Sequence, residues 1–146
     1  GPELGDYYLE VTAAPSLCRG ADAYGLLLRA ASTPNFYRFS LTCDGQTRLE
    51  RVHNGSAAVL QDWTPRIGPP LPSRLGVWIA GDEIRVFIDD YFQFSARDPV
   101  LTGGSLGLFA RAAGDSALTV SFSDLVVRQV GPDPAPVRTL SPTSTP

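Results

Sequence analysis

At 146 residues the chain has room for one domain with a sizeable core. A net charge of −3 and a pI near 5.0 exclude the strong positive field on which general nucleic-acid binding depends. No apolar run approaches the ~20 residues of a membrane-spanning helix, so membrane insertion is not expected. All 12 basic residues are Arg, and Met is absent even at position 1, which predicts a processed or excised piece.

In chain order, the pattern is a period-two alternation interrupted by turn chemistry. Residues 7–12 read as a strand, followed by 24–31 and 36–43. Asp44-Gly45 turns the chain into a strand at 47–52. Asn54-Gly55 is the strongest hairpin signal, because both residues tolerate the positive φ of a type I′ turn, and 57–62 returns from it. Residues 64–73 are Pro-rich and predict a loop. Strands resume at 74–80, turn at Gly81-Asp82 into 83–88, and turn again at Asp89-Asp90 into 91–96. Residues 105–112 and 118–130 complete about ten strands, with no segment of convincing helical period. The expectation is an all-β, two-sheet antiparallel sandwich of jelly-roll type spanning residues 1–130. Its predicted core is Tyr7, Leu9, Val11, Leu26, Leu28, Phe39, Leu41, Val77, Ile79, Val86, Ile88, Leu108, Val120 and Phe122.

Residues 131–146 are rich in Pro, Ser and Thr and read as an extended tail or linker. Within it Val137, Arg138, Thr139, Leu140 and Ser141 form a Pro-free alternating run suited to pairing along an open sheet edge. Cys18 and Cys43 are too few for a structural zinc site. As a disulfide they would close a loop worth roughly 3 kcal/mol and imply an oxidising, extracellular or cell-surface setting; the alternative is a pair of buried thiols. An up-down-up order of the first three strands would bring the two cysteines to one end of a sheet.

The strings at residues 6–11 (DYYLEV), 24–29 (YGLLLR), 35–39 (NFYRF) and 49–51 (LER) resemble bacterial concanavalin A-like jelly rolls. So do 60–64 (LQDWT), 74–77 (RLGV), 81–87 (GDEIRVF), 107–109 (GLF) and 120–125 (VSFSDL). That superfamily includes laminin G-like domains, levan-binding modules and 3-keto-disaccharide hydrolase-type proteins. The resemblance covers about residues 5–130 and rests on core and turn positions, so it implies fold more than function. It also implies a core position for Trp63. Related domains carry a further strand ahead of the one at 7–12, which closes the sandwich against the last strand.

No residues suggest catalysis. The Glu-x-Asp-x-x-Glu strand of the superfamily's glucanases is missing, Asp82-Glu83 and Asp89-Asp90 read as turn formers, and His53 sits on a hairpin shoulder without a partner. No cofactor or metal site is expected. Arg29, Arg38, Arg51 and Arg111 lie inside predicted strands, and Trp78 points outward between Val77 and Ile79. On one sheet face they would offer guanidinium forks and an aromatic surface for a sugar. The competing role for the arginines is solvation of an exposed sheet, paired with Glu10 or Glu50. Two functions follow as expectations. One is a non-catalytic recognition module for glycans from a secreted or cell-surface protein. The other is a structural subunit of an extracellular filament or surface layer, assembled by strand or tail exchange between copies.

Overall fold

A computed structural model describes residues 5–32, 35–68 and 73–130. The tail residues Val137, Arg138, Thr139, Leu140 and Ser141 lie outside the described residues. Ten strands run in chain order: β1 (Tyr7–Ser16), β2 (Ala23–Ser32), β3 (Asn35–Thr42), β4 (Gln46–His53) and β5 (Ser56–Pro65), then β6 (Ser73–Ala80), β7 (Glu83–Ile88), β8 (Tyr91–Arg97), β9 (Ser105–Arg111) and β10 (Thr119–Gln129). They form two antiparallel five-stranded sheets, ordered β10-β1-β6-β7-β8 and β5-β4-β3-β2-β9. The jelly-roll sandwich expected from the alternation is therefore present.

The turns obey the residues that make them. Asn54 and Gly55 have φ of 51° and 83°, and Asp89 and Asp90 have 53° and 67°, the left-handed values that a two-residue type I′ hairpin requires. Paired residues of neighbouring strands share a face, so alternation sends one set inward. Tyr7, Leu9, Leu26, Leu28, Tyr37, Phe39, Leu49, Val77, Ile79 and Val86 fill the space between the sheets and are fully buried. Gly25 serves a close approach: a Cβ there would collide with the Phe39 carbonyl oxygen and press on the Phe109 ring.

Three tyrosines, Tyr7, Tyr24 and Tyr37, belong to this interior, whereas Tyr8 is buried on the outer face of its sheet beside Trp78 and Phe87. Burial raises the pKa of Tyr7, Tyr8 and Tyr24. Tyr37 is pushed up to about 12 by burial and by its hydrogen bond to Asp98. Its hydroxyl donates to Asp98 Oδ2 at 2.7 Å and accepts from the Leu101 amide at 3.1 Å.

Cys18 and Cys43 are disulfide-bonded, with Cα atoms 5.5 Å apart. The expected meander does not place them, however. β1 pairs with β6 and β10, whereas β3 pairs with β2 and β4 in the opposite sheet. The bond instead ties the loop after β1 to the end of β3, and so links the two layers.

The two long edges of the sandwich differ. On one side β5 lies against β8, and Gln93 of β8 locks the loop after β5 by accepting from the Ile67 amide at 2.7 Å and donating to its carbonyl at 2.9 Å. On the other side β9 and β10 are the edge strands. Leu108, expected in the core, is 38% exposed, and Val120 and Phe122 are only half-buried. Register explains this. Leu108 pairs with Leu26, Phe122 with Ala13 and Val127 with Leu9, so all three face inward, but toward a mouth that is not filled among the described residues.

Candidate functional site

The sheet β5-β4-β3-β2-β9 turns Phe36, Arg38, Ser40 and Thr42 of β3 outward, beside Gln46, Arg48 and Glu50 of β4. Glu50 is almost fully covered, because two guanidiniums close on it. Arg38 meets its Oε1 at 3.0 Å and Arg48 approaches Oε2 at 3.5 Å. Arg38 also lies over the Phe36 ring at 5.9 Å, and Arg48 over the Trp63 ring at 5.2 Å. The result is a fixed row of charge and aromatic surface across adjacent strands, with Arg48 Nε shielded and without an acceptor among the described residues.

Trp63 is 40% exposed, contrary to the core position that the resemblance implied. The cause is local. β5 is an edge strand whose register against β4 shifts twice, between Thr47/Leu49 and between Leu49/Glu50. A bulge moves later side chains to the other face. Asp62 then fixes the backbone by accepting from the Trp63 amide at 2.8 Å.

Beside the indole is an open cleft of about 240 Å³ lined by Ala21, Thr42, Asp44, Gln46 and Trp63. Its rim is braced. The Cys43 amide donates to the Asp22 carbonyl and the Asp44 amide to the Gly20 carbonyl, both at 3.0 Å. The carboxylate of buried Asp22 accepts from the Arg19 amide at 3.1 Å and the Ala113 amide at 2.8 Å. Together with the disulfide, these bonds hold residues 18–22 against the end of β3.

The five ligand-binding candidates from the sequence do not share one surface. Arg38 and Arg111 do lie on this outer face; Arg111 pairs with Ala23, whose other neighbour is Thr42 of the cleft. Arg29 is only 2% exposed. It donates to the carbonyls of Gly5 (3.1 Å), Gly81 (2.8 Å) and Leu101 (2.9 Å) and pairs with Asp6 at 3.1 Å. A register break in β2 and a φ of 48° turn it inward. Arg51 pairs with core residue Tyr37, so it faces inward too, and it bonds Asp98 at 2.5 Å. Trp78 does point outward, but from the opposite sheet. It is 5% exposed and lies beneath Arg85, 4.3 Å from its ring. By sequence, Trp63 is expected in the core and Asp44 in a turn, and Gln46 has no role; the register shifts of β5 bring the indole out beside the β3–β4 hairpin.

No protein-family model matches the sequence, and no curated protein matches it. Solved structures do. The chain is similar to the carbohydrate-binding module CBM66 from Bacillus subtilis, at 20% identity and a TM-score of 0.72 over 88% of this chain and 78% of that one. Sheep galectin-11 in complex with glycerol is similar at 13% identity and a TM-score of 0.63, over 87% and 95% of the two chains. The GH43 BlXynB protein from Bacillus licheniformis matches at 16% identity and a TM-score of 0.67, over 86% of this chain but 28% of its own. These likenesses agree with the strand order and establish the architecture: the chain has the concanavalin A-like jelly-roll fold.

Proposed function

We propose that the chain is a non-catalytic carbohydrate-recognition module of a secreted or cell-surface protein. In this reading its glycan lies on the outer face of the β5-β4-β3-β2-β9 sheet. The observation that carries the reading is the exposed Trp63 indole, braced from one side by Arg48 and bordered on the other by a cleft lined with Thr42, Asp44 and Gln46. A sugar ring has an apolar face that stacks on an aromatic ring and hydroxyls at its edge. Here an indole face stands beside a carboxylate, an amide and a hydroxyl on a disulfide-braced rim, so little ordering is lost on binding. Arg38 and Arg111 of the earlier candidates border this surface. Arg29, Arg51 and Trp78 serve internal contacts. The likeness to structures named as a carbohydrate-binding module and a galectin supports the reading at the level of fold.

A glycan array followed by calorimetric titration of the strongest hit tests it. Trp63→Ala should abolish binding while leaving the unfolding midpoint nearly unchanged, since the ring is an edge-strand side chain. Absence of binding to any oligosaccharide at millimolar concentration would sink the proposal. A second reading, a structural subunit assembled by strand addition, is favoured by the open β9/β10 mouth. In that reading Val137, Arg138, Thr139, Leu140 and Ser141 are the donor segment. It is tested at the scale of the whole molecule below.

A further inference from the structure

Most arginines of this chain are already neutralised. Eight pair with a carboxylate. Among the described residues Arg19, Arg111 and Arg128 do not, and Arg128 lies over the Tyr8 ring on the opposite sheet. Arg19 and Arg111 are both exposed, and both belong to the rim of the Trp63 cleft.

Their placement follows from Asp22. Its buried carboxylate accepts from the Arg19 amide at 3.1 Å and from the Ala113 amide at 2.8 Å. It is thus consumed in joining the turn at residues 19–22 to the end of β9, and it neutralises neither guanidinium. Arg19 lies two residues from Ala21 of the cleft lining, and its guanidinium reaches a hydroxyl, Ser116 Oγ, at 3.3 Å. Arg111 stands on the outer face of β9 opposite Ala23, and Ala23 stands opposite Thr42 of the cleft. By ordinary sheet spacings Arg111 is about 10 Å from Thr42, and the residue between them is an alanine, so no long side chain of β2 intervenes. Asp115, the sole acid of residues 112–118, forms no ion pair with either arginine among the described residues. The acid of the site lies elsewhere on its rim. Exposed Asp44 uses Oδ1 to accept from the Thr42 hydroxyl, and its other oxygen has no partner among the described residues.

We propose, resting on the glycan reading above, that the ligand is an acidic oligosaccharide. One ring stacks on Trp63, and the carboxylate or sulfate of a linked unit is held by Arg111 and Arg19. A guanidinium fork binds such anions most readily when no internal acid must first be displaced. Arg38 and Arg48 share Glu50 at 3.0 and 3.5 Å and stay committed to it. The two sides of the cleft then differ in sign. Asp44 accepts from sugar hydroxyls and repels an anion, whereas the Arg19/Arg111 rim attracts one. The ligand therefore has a single orientation, with its acid toward β9. In a chain of net charge −3 this preference comes from local placement and not from the overall field.

The glycan array tests this when it carries matched pairs: uronate oligosaccharides beside their carboxyl methyl esters, and sulfated oligosaccharides beside their desulfated forms. Acidic members should bind about tenfold more tightly than their neutral counterparts, the worth of one hydrogen bond to a charged group. That advantage should shrink as salt rises from about 0.05 to about 0.5 M. The pair that shows the gap identifies the anion. Arg111→Ala and Arg19→Ala should each narrow the gap, and the double variant should close it, whereas Trp63→Ala removes binding of both members. Arg111→Lys keeps the charge, loses the fork and should retain part of the preference. The unfolding midpoint should hold in these arginine variants, since neither side chain carries an ion pair. Neutral members that bind as tightly as acidic ones, or an acidic preference that survives the double alanine variant, overturn the proposal and leave the glycan reading standing. An array without any binder overturns both.

Discussion

At the scale of single residues, the arginines divide by what their guanidiniums meet. Arg29 sits between the layers at one end of the sandwich and gathers three carbonyls and the Asp6 carboxylate from three separate segments. No other side chain type delivers donors in that planar fork. Its positive φ of 48° adds backbone strain that these bonds hold in place. Arg29→Lys should therefore be far from conservative. Loss of the fork leaves buried carbonyls unsatisfied, and a cost of about 3–5 kcal/mol is expected. Urea titration of the variant checks it; a loss below about 1 kcal/mol, the worth of one exposed ion pair, would show that the Arg29 network is incidental. Arg38 behaves as the competing sequence reading described, pairing across strands with Glu50 at 3.0 Å, and Arg74 does the same with Glu10 at 2.8 Å. Pairing does not remove Arg38 from the outer face, where it still borders the Trp63 surface.

At the scale of elements, every strand was readable because alternation and turn residues agree. Asn54-Gly55 and Asp89-Asp90 fixed two hairpins, and residues 83–88 were read with the bounds the structure shows. What alternation cannot show is where it breaks. The bulges in β5 and β2 carry no residue signature, and they decide that Trp63 is outside and Arg29 inside. Nor does period two say which sheet a strand joins. Arg38, Arg51 and Trp78 all lie in strands, yet they occupy an outer face, an inner face and the opposite sheet. The disulfide illustrates the same limit: the pair was legible, its role was not. By joining residues 18–22 to β3 it holds one wall of the cleft, so its loss has two separable effects. Reduction, or Cys18→Ser/Cys43→Ser, opens a loop of 25 residues and should lower stability by roughly 3 kcal/mol. It should also weaken glycan binding more than it perturbs Trp63, because Asp44 and Ala21 lose their mutual anchor. Calorimetry on the reduced protein separates the two, and unchanged affinity at a lowered midpoint would confine the bond to stability.

At the scale of the whole molecule, the two edges of the sandwich pose different problems. The β5/β8 edge is closed by side chains, with the Gln93 amide pinning Ile67. The β9/β10 edge presents inward-facing Leu108, Leu125 and Val127 to solvent, Leu125 at 48% exposure, beside the unpaired backbone of an 11-residue strand. An edge of this kind is a template for another strand, and a head-to-tail addition that does not close propagates as a filament. Assembly and isolation make opposite demands on the same residues. In an isolated domain, Leu125→Lys/Val127→Lys replaces exposed side chains and should change stability by no more than about 0.5 kcal/mol per site. In an assembled subunit, the same pair would place two charges inside an apolar strand slot, where burial without a partner is strongly unfavourable. The intact chain, followed by sedimentation and electron microscopy across concentration, should form fibres that the double variant does not, if the subunit reading holds; deletion of residues 132–146 should then abolish assembly with the domain still folded. A chain that stays monomeric at every concentration, with stability indifferent to the two lysines, removes that reading and leaves the β9/β10 mouth as a solvent-facing edge.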